Sequence, residues 1–220
     1  MKLKSFVSAA VLALSVAASA QTYTLKLKPV LGKTYTLLTS LSGGMAMSVT
    51  MSMKAIKETG SHVVLQCRIT DMSMNGKSLM AQAPQLKSML LTMTEDSSGH
   101  LVGTDVSGVD PKMVNAIKTQ EGSGNFASFP TKPIKIGDSW AGEYTSNGQK
   151  LKATYKFASI GTDRGLKVAN LVVNIQGSAA GATFNNPLKM SVELSTGMLV
   201  ESSFSLTMGK QSEHVKLTRI

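Results

Sequence analysis

Met45-Ala46-Met47-Ser48-Val49-Thr50-Met51-Ser52-Met53-Lys54 puts an apolar side chain at every second position and a small or polar one between. Successive side chains of a strand leave opposite faces, so this stretch carries one face for a core and one for solvent. The same alternation recurs outward from it: Tyr23, Leu25 and Leu27; Val63, Leu65, Cys67 and Ile69; Leu151, Ala153, Tyr155 and Phe157; Ala169, Leu171, Val173 and Ile175; Leu188, Met190, Val192 and Leu194. Turn signals separate these runs at Gly43-Gly44, Glu58-Thr59-Gly60-Ser61, Asn75-Gly76, Asp96-Ser97-Ser98-Gly99, Asn147-Gly148, Asp163-Arg164-Gly165 and Thr196-Gly197. The runs 45–57, 149–160, 165–177 and 198–209 exceed the usual strand of about 5–6 residues. The expected fold is mainly β, a long-stranded antiparallel meander forming a curved sheet or an unclosed β-barrel.

Such a sheet needs a cover on its concave apolar face. Two short helices are expected to supply it. In the first, Leu86, Met89, Leu90 and Met93 recur at helical spacing behind Pro84. In the second, Asp110 is the N-cap, Pro111 the first helical residue, Met113, Val114 and Ile117 one face, and Gly122 or Gly124 the end.

The chain opens with Lys2 and Lys4, an apolar run from Phe6 to Ala18, and the small-residue triplet Ala18-Ser19-Ala20 before Gln21. That order is a secretory signal peptide over 1–20, with cleavage expected between Ala20 and Gln21 and a single β-rich domain over 21–220. The apolar run is shorter than the roughly 20 residues needed to cross a bilayer, so no transmembrane segment is expected. Gln21 stands where a lipoprotein would carry its acylated cysteine. The expected location is periplasmic or secreted. Cys67 is the only cysteine, can form no intramolecular disulfide, and reads as a small buried hydrophobe.

Loss of the signal leaves 21 basic residues against 13 acidic ones, a net charge of +8. Only Arg68, Arg164 and Arg219 are arginines and aromatics are sparse, so nucleic acid is not the expected partner. A lysine-rich protein outside the cytoplasm suits an anionic membrane or cell-wall surface, or merely a solvated face.

Lys28-Pro29-Val30-Leu31-Gly32-Lys33-Thr34-Tyr35 is echoed by Lys132-Pro133-Ile134-Lys135-Ile136-Gly137-Asp138-Ser139-Trp140, one residue longer. Matches this short arise by chance more often than by duplication. The same segments, with Tyr23-Thr24-Leu25-Lys26-Leu27-Lys28 and Phe129-Pro130-Thr131, carry a resemblance to a family of secreted bacterial proteins of unknown function. More remotely, the order of elements resembles periplasmic lipid carriers of the LolA and LppX type. That resemblance implies an unclosed β-barrel whose concave side holds acyl chains under helices, and it brings no catalytic residue.

Other constellations fail on spacing. Gly137-Asp138-Ser139-Trp140 resembles the nucleophile block of an esterase, but Gln211 occupies the position three before His214 where that family carries its aspartate, and Ala141 breaks a Gly-x-Ser-x-Gly elbow. His62, His100 and His214 are too scattered for a zinc site. No cofactor is implied, and no paired carboxylates mark an enzyme. Methionine is the unusual feature. The pairs Met45/Met47, Met51/Met53 and Met72/Met74 could present two thioethers to Cu(I), but no histidine lies beside them and any methionine-built face gives the same spacing.

The expected function is therefore non-enzymatic binding of an apolar or amphiphilic, lipid-like ligand. The alternatives are a structural or envelope-interaction protein with a closed core and, behind it, a methionine-based Cu(I) binder. The expected wall is Met45, Met47, Val49, Met51, Met53, Leu65, Leu86, Met89, Met113 and Ile117, adaptable side chains suited to a ligand of varied shape. Lysines are expected near its mouth.

Overall fold

The computed structural model describes residues 21–44, 46–111, 114, 128–146, 149–179 and 182–220. The predicted signal segment, Met45, Met113, Ile117 and most of the second predicted helix lie outside them. Strands β1 (Thr34–Ser42), β2 (Met47–Thr59), β3 (His62–Met74), β4 (Lys77–Ser78), β5 (Leu90–Asp96) and β6 (Leu101–Ser107) form a first meander, with one helical turn, α1 (Gln85–Ser88), before β5. A second comprises β7 (Ser139–Ser146), β8 (Gln149–Asp163), β9 (Leu166–Gln176), β10 (Ser178–Ala179), β11 (Ala182–Glu193), β12 (Leu199–Met208) and β13 (Gln211–Arg219). All pair antiparallel in the order β6-β5-β3-β2-β1-β13-β12-β11-β9-β8-β7, with β4 on β3 and β10 on β11. The sheet is open, with β6 and β7 as its edges. Alternation does what it predicted: Leu151, Ala153, Tyr155 and Phe157 are buried while Lys152, Thr154 and Lys156 between them are exposed.

The two meanders repeat one backbone plan. In the first, a tight turn closes with Lys33 N–H donating to the Val30 carbonyl at 3.1 Å, and Gly32 donates to Ala55 at 2.8 Å. In the second, Asp138 donates to Lys135 at 3.1 Å, and Gly137 to Phe157 at 2.7 Å. Both glycines have positive φ, +78° and +99°, which a side chain would resist. Just beyond, a bulge interrupts the ladder in each copy, between Ala55 and Lys57 in one and between Phe157 and Ser159 in the other. Leu65 then pairs with Met93 as Leu171 pairs with Met190. The next bulge falls after Thr94 and after Ser191. The short echo in the sequence thus marks the start of a repeated five-strand unit, in which β1, β2, β3, β5 and β6 correspond to β7, β8, β9, β11 and β12. β13 is the extra strand that joins β12 to β1.

The first predicted helix is corrected by the structure. Only Gln85–Ser88 is helical, and Leu90–Asp96 is strand. Four residues complete too few i to i−4 hydrogen bonds to sustain a helix. Leu91, Met93 and Glu95 also alternate with Thr92 and Thr94, and pairing to β3 on one side and β6 on the other decides in favour of the strand. Of the second helix, the described Val114 N–H donates to the Asp110 carbonyl at 3.0 Å.

Among the described residues, extended chain covers the inner face where helices were expected. Tyr23 bridges Ile134 through two backbone hydrogen bonds of 2.7 and 2.9 Å. Leu25 and Leu27 are buried in the core with Phe129 and Ile134. Leu27 N–H donates to Ser97 of the first meander at 2.9 Å, and Lys28 N–H to Thr196 of the second at 2.8 Å. One segment therefore ties the β5–β6 loop to the β11–β12 loop.

Candidate functional site

The inner face is filled differently in the two meanders. In the second, Tyr155 stacks on Trp140 with centroids 5.5 Å apart and Phe157 meets Tyr23 edge-on at 5.4 Å. Register puts Met53 and Ala55 of the first meander at the positions of Tyr155 and Phe157. Met53 is slimmer and more flexible than the tyrosine it replaces, and space remains beside it. A partly open cavity of about 190 Å³ lies there, walled by Leu37 and Thr39 of β1, Met51 and Met53 of β2, Leu65 of β3, and Leu91, Met93 and Glu95 of β5. Val192, Met198, Leu199 and Leu217 close it from the second meander, with Leu27 and Phe129 from the covering segments. The β11–β12 loop can approach because position 197 is glycine: a Cβ there would run into the Lys26 carbonyl.

Three of the predicted wall residues, Met51, Met53 and Leu65, are in this wall. Met47 and Val49 share their face but lie farther along β2, half-buried opposite Met74 and Met72. Leu86 and Met89 flank the end of α1, half-buried and outside the wall. Met45, Met113 and Ile117 are not among the described residues.

Glu95 is the residue that the sequence reading missed. It is 2 % exposed, and no hydrogen bond or ion pair reaches its carboxyl among the described residues. Burial, and secondarily the charge of Asp96, push its pKa up to about 8. The nearby Cys67 thiol is pushed up to about 12 by burial and by Glu95, which leaves it protonated and inert. A signal was present: Leu91, Met93 and Glu95 share one phase of alternation, so an acid there breaks an apolar face. It is visible only once 90–96 is known to be a strand.

Beside the cavity, His100 Nδ1 lies 3.2 Å from Asp96 Oδ2 and its Nε2 lies 3.0 Å from Ser128 Oγ. The connectivity is that of a hydrolytic triad. Its surroundings differ. Ser128 is buried against Gly142, where an added Cβ would come within 2.8 Å of Ser128 Cβ. The Phe129 N–H that could serve an oxyanion is spent on the Ser98 carbonyl at 2.8 Å. Asp96 Oδ1 also accepts from the Ser98 and His100 backbone at 2.8 and 2.9 Å, so the chain fastens the β5–β6 loop to the segment entering β7.

In the second meander the corresponding loop is fastened by charge. Arg219 donates to Glu193 Oε2 at 2.9 Å, and Ser195 and Thr196 donate to the same carboxylate at 2.8 and 2.9 Å. Burial alone would raise the Glu193 pKa, but these hydrogen bonds and the Arg219 charge outweigh it and hold the pKa below the ordinary carboxylate range.

No family model matches the chain, and no curated protein matches it. Among solved structures it is similar to a hypothetical lipoprotein, YmcC, from Escherichia coli K12, at 12 % identity over 87 % of this chain and 89 % of that one, with a TM-score of 0.30. The functional reading therefore rests on the residues of this chain. No helix among the described residues is long and apolar enough to cross a membrane.

Proposed function

We propose that this chain is a non-enzymatic, extracytoplasmic binding protein for an apolar or amphiphilic small molecule, a reading in line with the lipid carriers that its order of elements remotely resembles. The observation that carries it is the methionine-lined cavity on the inner face. Cavities of roughly 150 Å³ take up benzene, so about 190 Å³ suits one ring or one short alkyl segment rather than several acyl chains. Each buried methylene contributes about 0.8 kcal/mol, and the thioethers of Met51, Met53 and Met93 re-pack around different shapes at little cost.

Titration calorimetry with n-hexanol tests this directly. Saturable binding that weakens when Met51→Trp fills the wall, in a variant that keeps its unfolding transition, supports the reading. Absence of uptake by a folded protein would leave the structural protein with a closed core in first place.

A further inference from the structure

Two meanders of one plan make Glu95 conspicuous. It pairs with Leu101 across a bulge just as Val192 pairs with Leu199 across the equivalent bulge. Val192 is fully buried and also faces the cavity. The fold at this rung therefore accepts valine, and nothing in the architecture asks for an acid. A buried carboxyl without a partner is costly, and the cost is offset when a bound molecule supplies what the protein does not.

The complement is set by what surrounds the carboxyl. Among the described residues no lysine or arginine lines the cavity. The titratable groups nearby among them are Asp96 on the same strand, His100, which is engaged by Asp96 and Ser128, and the protonated Cys67 thiol on β3. From the second meander the facing residues are Val192, Met198 and Leu199, all apolar. An anionic headgroup could accept only the proton that Glu95 holds, and would add a second negative charge to an apolar wall once Glu95 ionises. An alcohol would gain one neutral hydrogen bond. An ammonium would gain a charge-assisted bond and neutralise the charge that Glu95 can hold.

We propose, resting on the binding reading above, that Glu95 is the polar anchor of the cavity and that the ligand is a compact apolar amine whose ammonium pairs with the Glu95 carboxylate. In the free protein the carboxyl holds its proton up to about pH 8. Binding an ammonium below that pH releases this proton to solvent, so amine affinity rises with pH until Glu95 ionises unaided, and levels off below the alkylamine pKa of about 10.

Calorimetry with n-hexylamine, n-hexanol and hexanoate on the full chain separates the outcomes. Expected are roughly ten- to hundredfold tighter binding of the amine than of the alcohol at pH 8, hexanoate weakest, amine affinity climbing from pH 6 to pH 8, and alcohol affinity flat. Glu95→Gln should abolish the amine-over-alcohol preference, and any residual amine binding should keep rising with pH toward the alkylamine pKa of about 10 instead of levelling off near pH 8. Glu95→Val, which copies Val192, should do the same and guards against a folding defect in the first variant. Equal binding of amine and alcohol by the natural chain, or an amine preference that survives both variants, overturns the anchor and leaves the cavity reading standing. Failure of all three probes to bind overturns both.

Discussion

The two meanders spend the same strand plan on different interiors. Where the second places Tyr155, stacked on Trp140, and Phe157, edge-on to Tyr23, the first places Met53, which borders open space, and Ala55. Where the second buries Val192, the first buries an acid. Even the adjoining loops differ, one fastened by an Asp-His-Ser chain and the other by a buried ion pair. Turns and bulges set the backbone, and those are held in common. Side-chain volume sets the interior, and it is free to diverge. One meander is closely packed and the other leaves a void.

The contrast is broken most severely by Phe157→Ala, which gives the packed meander the residue of the open one. The expected cost is about 3–5 kcal/mol, read from chemical denaturation, whereas Met53→Ala, bordering existing space, should cost about 2 kcal/mol. Equal costs would mean that the two interiors are equally tight.

Arg219→Met removes the buried cation and strands Glu193. The pair is about one-tenth exposed on each side, and the expected loss is about 3 kcal/mol at neutral pH. Because the Glu193 pKa is lowered by folding, its stabilisation is present above the unfolded carboxylate pKa and is lost as pH falls through the folded value. Denaturation midpoints followed down to pH 3 should show a shallower acid-side decline in the variant.

Glu95 responds in the other direction. Its pKa rises from 4.5 to about 8 on folding, so the native state holds the extra proton between these values and stability falls as pH rises through that window. The slope is up to ~1.4 kcal/mol per pH unit, and it should vanish in Glu95→Val. A natural chain whose stability does not fall between pH 5 and pH 8 would remove the buried acid from the comparison.

The smallest effect belongs to the methionines beyond the cavity. Met47 pairs with Met74, with Met72 opposite Val49 on the same face. Replacing all three by leucine should change stability by less than about 1.5 kcal/mol per site and leave Cu(I) affinity in a competition titration unchanged. Tight Cu(I) binding lost in this variant would promote the copper reading.

Much of the fold was legible because period two is a local property. Each residue's neighbours two positions away suffice to assign its face, and that reading placed β2, β3, β8, β9 and β11. It failed at 86–93 because Leu86, Met89, Leu90 and Met93 satisfy the helical period while Leu91, Met93 and Glu95 satisfy the strand period. The ladders to β3 and β6 resolve that conflict, and they join residues far apart in the chain. The same mistake hid Glu95, since an acid is out of place only on a strand whose apolar face is known. Of the residues named for the wall, Met51, Met53 and Leu65 line the cavity, Met47 and Val49 lie farther along β2, and Leu86 and Met89 lie outside it along the misread helix.

The sequence by itself determined the strand character and apolar side of β2, β3, β8, β9 and β11 and the turns between β2 and β3 and between β8 and β9, because these follow from interactions within a few residues. Tertiary structure alone decided that β13 returns to pair with β1, that an extended segment covers the inner face, and that a void remains. A cavity is volume left unfilled by residues such as Leu37, Met93, Val192 and Leu217, which share no neighbourhood in the chain, and packing in three dimensions is the only level at which their volumes are summed.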